Sequence, residues 1–195
     1  MANIHHLVLG DYQTNCYILE GADRRCVIID PGYAPQTILS FLENNRLTCE
    51  AILLPHGHFD HVGAVKPLAA ELDCRVFLCG QDLSMPPVFT AGPLYHTDLY
   101  GEGSVLSLAG LTIRVIHTPG HTPGSVCLIA ENALFSGDTL FAGSCGRTDL
   151  PGGDWAAITA SLRRLSEMEG DFSVYPGHGE STSLAQEKRY NPYLR

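Results

Sequence analysis

Pro55-His56-Gly57-His58-Phe59-Asp60-His61 places three imidazoles and a carboxylate between positions 56 and 61. The apolar run Ala51-Ile52-Leu53-Leu54 precedes it, and Ala64–Leu72, which has helical periodicity, follows. The stretch is therefore a strand-to-helix turn, at the kind of exposed junction where a rigid scaffold presents chemistry. Imidazole nitrogen and carboxylate oxygen suit zinc, and also iron or manganese. A polar turn satisfied by its own backbone would leave this concentration of ligand groups unexplained.

Working outward, further apolar and β-branched runs at Cys16–Leu19, Cys26–Ile29, Arg75–Leu78, Leu111–Ile116, Val126–Ile129 and Ala133–Phe135 are short and punctuated by Gly, Pro or Asn, so they read as strands. Ala34–Asn45, Asp154–Glu167 with its capping Asp, and Ser183–Tyr190 read as helices. Strands come in hairpin-like clusters, then strand–helix units, then strands again. That order predicts an α+β chain in which two mixed sheets pack face to face with helices on the outer faces, in preference to one doubly wound sheet. The stretch Gln81–Gly103, containing Pro86-Pro87 and Gly92-Pro93, has little periodicity and reads as a long excursion over the active site.

Three later sites share the context of the first, each after a strand and beside glycine. His121 lies in His117-Thr118-Pro119-Gly120-His121-Thr122-Pro123-Gly124, Asp138 closes Leu134-Phe135-Ser136-Gly137-Asp138, and His178 lies in Val174-Tyr175-Pro176-Gly177-His178-Gly179. Alone, each could be a cap or a hydrogen-bonded turn residue. With His56, His58, Asp60 and His61 they make the inventory for two metal ions sharing one carboxylate and a solvent-derived bridge.

Bulk properties narrow the rest. A chain of 195 residues with 45% apolar composition is expected to form one domain, residues 1–195. The net charge of −9 and the lack of a basic stripe argue against nucleic acid. No segment approaches the roughly 20 apolar residues that span a bilayer. The seven cysteines, scattered and without a CxxC pair, read as free thiols in a reducing cytoplasm. A small-molecule substrate is the expected partner, and the sequence leaves the oligomeric state open.

The His-x-His-x-Asp-His run, the later His, Asp and His in that order, and their glycine-rich contexts resemble the metallo-β-lactamase superfamily over nearly the whole chain. The resemblance implies the αββα sandwich of that family and two divalent metal ions, zinc in the first place, with iron or manganese as alternatives. It assigns His56, His58 and His121 to the first ion, Asp60, His61 and His178 to the second, and Asp138 to both. Asp138 and His61 set the chain apart from the best-known β-lactamases and make it similar to short glyoxalase II-like thioesterases. The stretches Gly146–Asp154 and Pro176–Thr182, with Asn191-Pro192-Tyr193-Leu194, are similar to that branch. The implied reaction is hydrolysis of a thioester such as S-D-lactoylglutathione by a metal-bridging hydroxide, with Asp60 orienting that nucleophile.

Arg147 stands where glyoxalase II has a Lys. It reads either as a binder of a substrate carboxylate or as the partner of Asp149. Glu180 replaces the tyrosine which that enzyme places after its last histidine ligand, and with only seventeen residues after His178 the C-terminal glutathione-gripping domain of that enzyme is not expected here. The context of Cys145 is also seen in mononuclear iron persulfide dioxygenases, which stand as the alternative, together with a lactonase or other ester hydrolase of the same fold. His5, His6, His96 and His117 read as structural or surface residues.

Overall fold

The computed structural model describes residues 2–194. The first sheet has six strands in sequence order: β1 (Asn3–Leu9), β2 (Thr14–Glu20), β3 (Arg25–Ile29), β4 (Thr48–Leu54), β5 (Arg75–Cys79) and β6 (Asp98–Tyr100). It is mixed: β1, β2 and β3 run antiparallel, while β3 to β6 run parallel. The second sheet contains β7 (Val105–Leu108), β8 (Leu111–His117), β9 (Val126–Ala130) and β10 (Ala133–Gly137). A small ribbon, β11 (Leu140–Phe141) with β12 (Ser144–Cys145), precedes β13 (Ser173–Pro176) and β14 (Thr182–Ser183). The second sheet's order is β14-β13-β10-β9-β8-β7, with β10 and β13 parallel.

Side-chain alternation builds four layers from these strands. Along β4, Ala51 and Leu53 face the second sheet, and Ile52 and Leu54 face the opposite way. The parallel neighbours Val27/Ile29 and Phe77/Cys79 join the inner set, where they meet Val126, Leu128 and Phe135 of the second sheet. The outer set packs on α1 (Pro35–Asn45) and on α3 (Val65–Leu72), which follows the short turn α2 (Phe59–Val62). Behind the second sheet, Ile158, Leu162 and Leu165 recur at helical spacing on α5 (Trp155–Ser166), which lies after α4 (Pro87–Thr90) in the chain. They pack with Leu134, Val174 and Leu184, the last of which begins α6 (Leu184–Tyr190). Each fully buried Leu or Ile contributes about 1.5–3 kcal/mol, so these stripes hold the sandwich together.

The expected strands and helices all form, including the cap in which Asp154 accepts from the Ala157 amide at 2.9 Å. β1, β6 and β7, and the two-residue strands β11, β12 and β14, lie outside the strands expected from the sequence. The first three are edge strands whose exposed positions break the apolar signal, and a two-residue pairing leaves no pattern. The excursion at Gln81–Gly103 is partly structured, holding α4 and β6, and β6 extends the first sheet. No helix among the described residues is long and apolar enough to cross a membrane.

This topology fixes where chemistry can sit. Strands β3, β4 and β5 point the same way, and β8, β10 and β13 bring their C-terminal ends to the same rim of the sandwich. Loops leaving those ends converge there.

Candidate metal centre

All seven predicted ligand residues meet at that rim. His56, His58 and His121 form one trio of mutually close donor atoms, and Asp60, His61 and His178 form another, with the atoms of each within 4.8 Å of one another. Asp138 stands between them. Its Oδ1 is 3.5 Å from His61 Nε2, and its Oδ2 is 3.5 Å from His121 Nε2 and 3.7 Å from His178 Nε2. Its Oδ2 thus lies between the two trios, while Oδ1 faces the second alone.

The far nitrogens of two imidazoles are hydrogen-bonded by the protein and that of a third faces a carboxylate, which decides the nitrogen turned inward. His121 Nδ1 donates to the Arg147 carbonyl at 2.8 Å, and His178 Nδ1 donates to the Tyr12 carbonyl at 3.1 Å. His61 Nδ1 faces Asp30 Oδ1 across 3.1 Å. Nε2 of all three is thereby directed into the cluster. There His58 Nδ1 lies 2.8 Å from His121 Nε2, and His61 Nε2 lies 3.1 Å from His178 Nε2.

The donor set fits metal ions on a test internal to the structure. Both nitrogens of His56, one of which can face an ion, and Asp138 Oδ1 are buried without a hydrogen-bond partner. Leaving such atoms unmet costs about 1–3 kcal/mol each, and a cation would satisfy the lone pairs directed at it. Gly177 supports the same reading. A Cβ there would lie 2.3 Å from Asp138 Oδ1 and 2.7 Å from His61 Cε1, so only glycine lets the cluster close.

Electrostatics divides the cluster. Burial, then the neighbouring imidazoles, push His56 well below the ordinary histidine range, and burial with His121 pushes His58 down to about 4. Both are neutral at pH 7, the form with a lone pair to give. Burial alone would also lower His61, but Asp30 and then Asp138 outweigh it and raise the group to about 10. Burial works against ionised Asp60 as well, and His178 overrides it, bringing the carboxyl down to about 2. The second half thus pairs ionised Asp60 with an imidazole held protonated, a proton whose place a bound cation would take.

Two carboxylates passed over in the sequence hold the site. Asp30 ends β3 in the same strand-end position as Asp138 ends β10, so that signal was there to be read. Asp82 sits inside the excursion, fully buried, and had no such signal. Its Oδ2 accepts from the Gly57 amide at 2.8 Å and the Thr122 hydroxyl at 3.0 Å, and its Oδ1 accepts from the Gly124 amide at 2.6 Å. It ties the His56/His58 turn to the His121 turn.

Outside the cluster lie the histidines read as structural. His5 meets Glu20 at 2.9 Å, His6 meets Asn15 at 2.7 Å, His117 meets the Pro123 carbonyl at 2.8 Å, and His96 lies 3.4 Å from the Leu94 carbonyl. Arg147 reaches the rim of the cleft above the cluster and forms a bidentate pair with Asp149, both bonds 2.7 Å and both residues exposed. Cys145 is half-buried on the wall of the same cleft.

The model of the metallo-beta-lactamase superfamily matches residues 9–178. The hydroxyacylglutathione hydrolase GloC of Haemophilus influenzae is 33% identical over 207 residues, covering 98% of both chains. Among solved structures, a di-iron-bound form of TTHA1623 is 41% identical with a TM-score of 0.85, covering 97% of this chain and 100% of that one. The BLEG-1 B3 metallo-beta-lactamase is 37% identical with a TM-score of 0.89, covering 98% and 99%. With its matched length, its two-sheet sandwich and its His/Asp metal-binding cluster, this chain belongs to the metallo-β-lactamase superfamily.

Proposed function

We propose that the cluster is the centre of a dinuclear metal-dependent hydrolase acting on a thioester. His56, His58 and His121 hold one ion, Asp60, His61 and His178 hold the other, and Asp138 serves both. The observation that carries the reading is Asp138 between the trios, its Oδ2 facing His121 of one and His178 of the other. Ions bound there supply an activated water at neutral pH and an electrophile for a carbonyl oxygen.

The chain's own residues do the remaining work. Asp60, held ionised by His178, accepts a hydrogen bond from the attacking water and sets its direction. Asp30 and the Arg147 and Tyr12 carbonyls keep the imidazoles from rotating. A thiolate leaving group has a low enough pKa to depart without a strong general acid, and the cleft lining supplies none beyond the cluster itself. A thioester therefore suits the site better than an amide. Zinc is the first candidate ion, and iron or manganese is accommodated by the same donors.

S-D-lactoylglutathione is the first substrate to assay, because a hydroxyacylglutathione hydrolase is among the relatives at full length. The expected result is thioester hydrolysis that chelation abolishes and added divalent metal restores. Oxygen consumption with glutathione persulfide by a protein that hydrolyses no thioester would overturn the reading in favour of dioxygenase chemistry.

A further inference from the structure

The cleft above the cluster has a volume of about 690 Å³, room for a small-molecule substrate. His58, Asp60, His121, Asp138 and His178 line its floor. Its walls are Tyr12, Phe59, Phe89, Phe141 and Leu150, drawn from separate parts of the chain. Tyr12 and Phe59 meet edge to face at 5.1 Å between ring centroids, and Phe141 meets His178 at 6.4 Å, so aromatic surface runs down to the ligands. Phe89 comes from α4, which places the excursion in the wall.

Glutathione carries two carboxylates beyond its thioester, and a site built for it needs cations to meet them. Arg147 is the one Lys or Arg on this lining, and Asp149 already engages it through both guanidinium bonds. The pair leaves Nη1 open, but a substrate carboxylate bound there would share a neutralised guanidinium and sit beside Asp149, a like-charge contact. The rim is electrically balanced, whereas the walls present ring faces and edges.

We infer that the cleft selects an uncharged thioester bearing an aromatic or branched apolar group, in preference to a glutathione thioester. The inference rests on the thioesterase reading and narrows its substrate class. Phe89 and Phe141 are the specificity-determining residues, and Arg147 contributes little to binding.

The test uses the metal-loaded protein and two substrates, the phenylacetyl thioester of N-acetylcysteamine and S-D-lactoylglutathione. The expected kcat/KM is at least about tenfold higher for the phenylacetyl compound. Phe89→Ala and Phe141→Ala each narrow that preference by about 3- to 10-fold, the scale of one aromatic contact. Val88→Ala, which changes an exposed neighbour outside the cleft, leaves the preference as it was.

Equal or faster turnover of S-D-lactoylglutathione overturns the inference and leaves the thioesterase reading standing. Binding of the matching non-hydrolysable thioethers separates the converse case. Tighter binding of the benzyl thioether than of an S-alkylglutathione, with neither thioester cleaved, supports the selectivity and removes the thioesterase. Tighter binding of the glutathione compound counts against the selectivity whatever is cleaved.

Discussion

The two halves of the metal cluster are built differently. His56, His58 and His121 are three imidazoles whose turns are tied together by buried Asp82, through Gly57, Thr122 and Gly124. Asp60, His61 and His178 include a carboxylate and are backed by a second one, Asp30. One half is all imidazole, neutral and positioned through the backbone, while the other pairs carboxylates with imidazoles and is positioned through charge. The contrast teaches that the halves respond to different perturbations: loosening a loop acts on the first, and removing a charge acts on the second.

Asp138 belongs to both halves, so its loss breaks the comparison altogether. Asp138→Ala is expected to lower kcat/KM by more than about 10³-fold and to release metal from both positions, measured by steady-state kinetics and elemental analysis on one sample.

Asp82→Asn comes next. An amide cannot accept all three hydrogen bonds, and a buried donor left unmet costs about 1–3 kcal/mol. Chemical denaturation should register a loss of about 2–4 kcal/mol, since more than one donor is affected. Metal titration should find the His56/His58/His121 position weakened first. Weakening of the other position first would contradict the division of roles. Asp30→Asn is the mirror test, expected to weaken the His61 position by about 10- to 100-fold in affinity while sparing the trio of imidazoles.

Acidity sharpens the same contrast in the metal-stripped protein. His58 has its folded-state pKa lowered to about 4. Between about pH 4 and 6.5 the unfolded chain therefore binds more protons, and stability falls as pH falls through that window. His61, raised to about 10, has the opposite sign: its contribution is complete below about pH 6.5 and is lost as pH rises towards 10. Thermal melts from pH 4 to 10 should peak near pH 6.5. Loading with metal, which requires His61 neutral, should flatten the alkaline limb. An alkaline limb of the same slope with and without metal would count against His61 as a ligand. The smallest effect expected is Arg147→Ala, with a melting temperature indistinguishable from the wild type, because an exposed ion pair contributes little.

Much of this was legible in the sequence where chemistry and pattern coincide. The His56–His61 run, His121, Asp138 and His178 each follow an apolar strand and sit beside glycine, so the repeated context, taken together with the dense first run, marked them. The core strands were legible for a related reason, because the Ala51–Leu54 part of β4 and all of β9 are buried on both faces and read as unbroken apolar runs. Asp82 was hidden because its meaning lies in partners about 25 and 40 positions away, which no local pattern encodes. The cleft walls were hidden likewise: Tyr12, Phe89 and Phe141 are ordinary aromatics until the fold brings them over the ligands. Asp30 was readable from its strand-end position and was missed because it stands well before the dense motif.

The central claim is a pair of metal positions joined by Asp138, and metal content per chain tests it most directly. Purified protein saturated with zinc or iron and freed of excess should carry two ions per chain, and Asp138→Ala should carry fewer than one. A stoichiometry of one in the wild type, unchanged in the variant, would contradict the account.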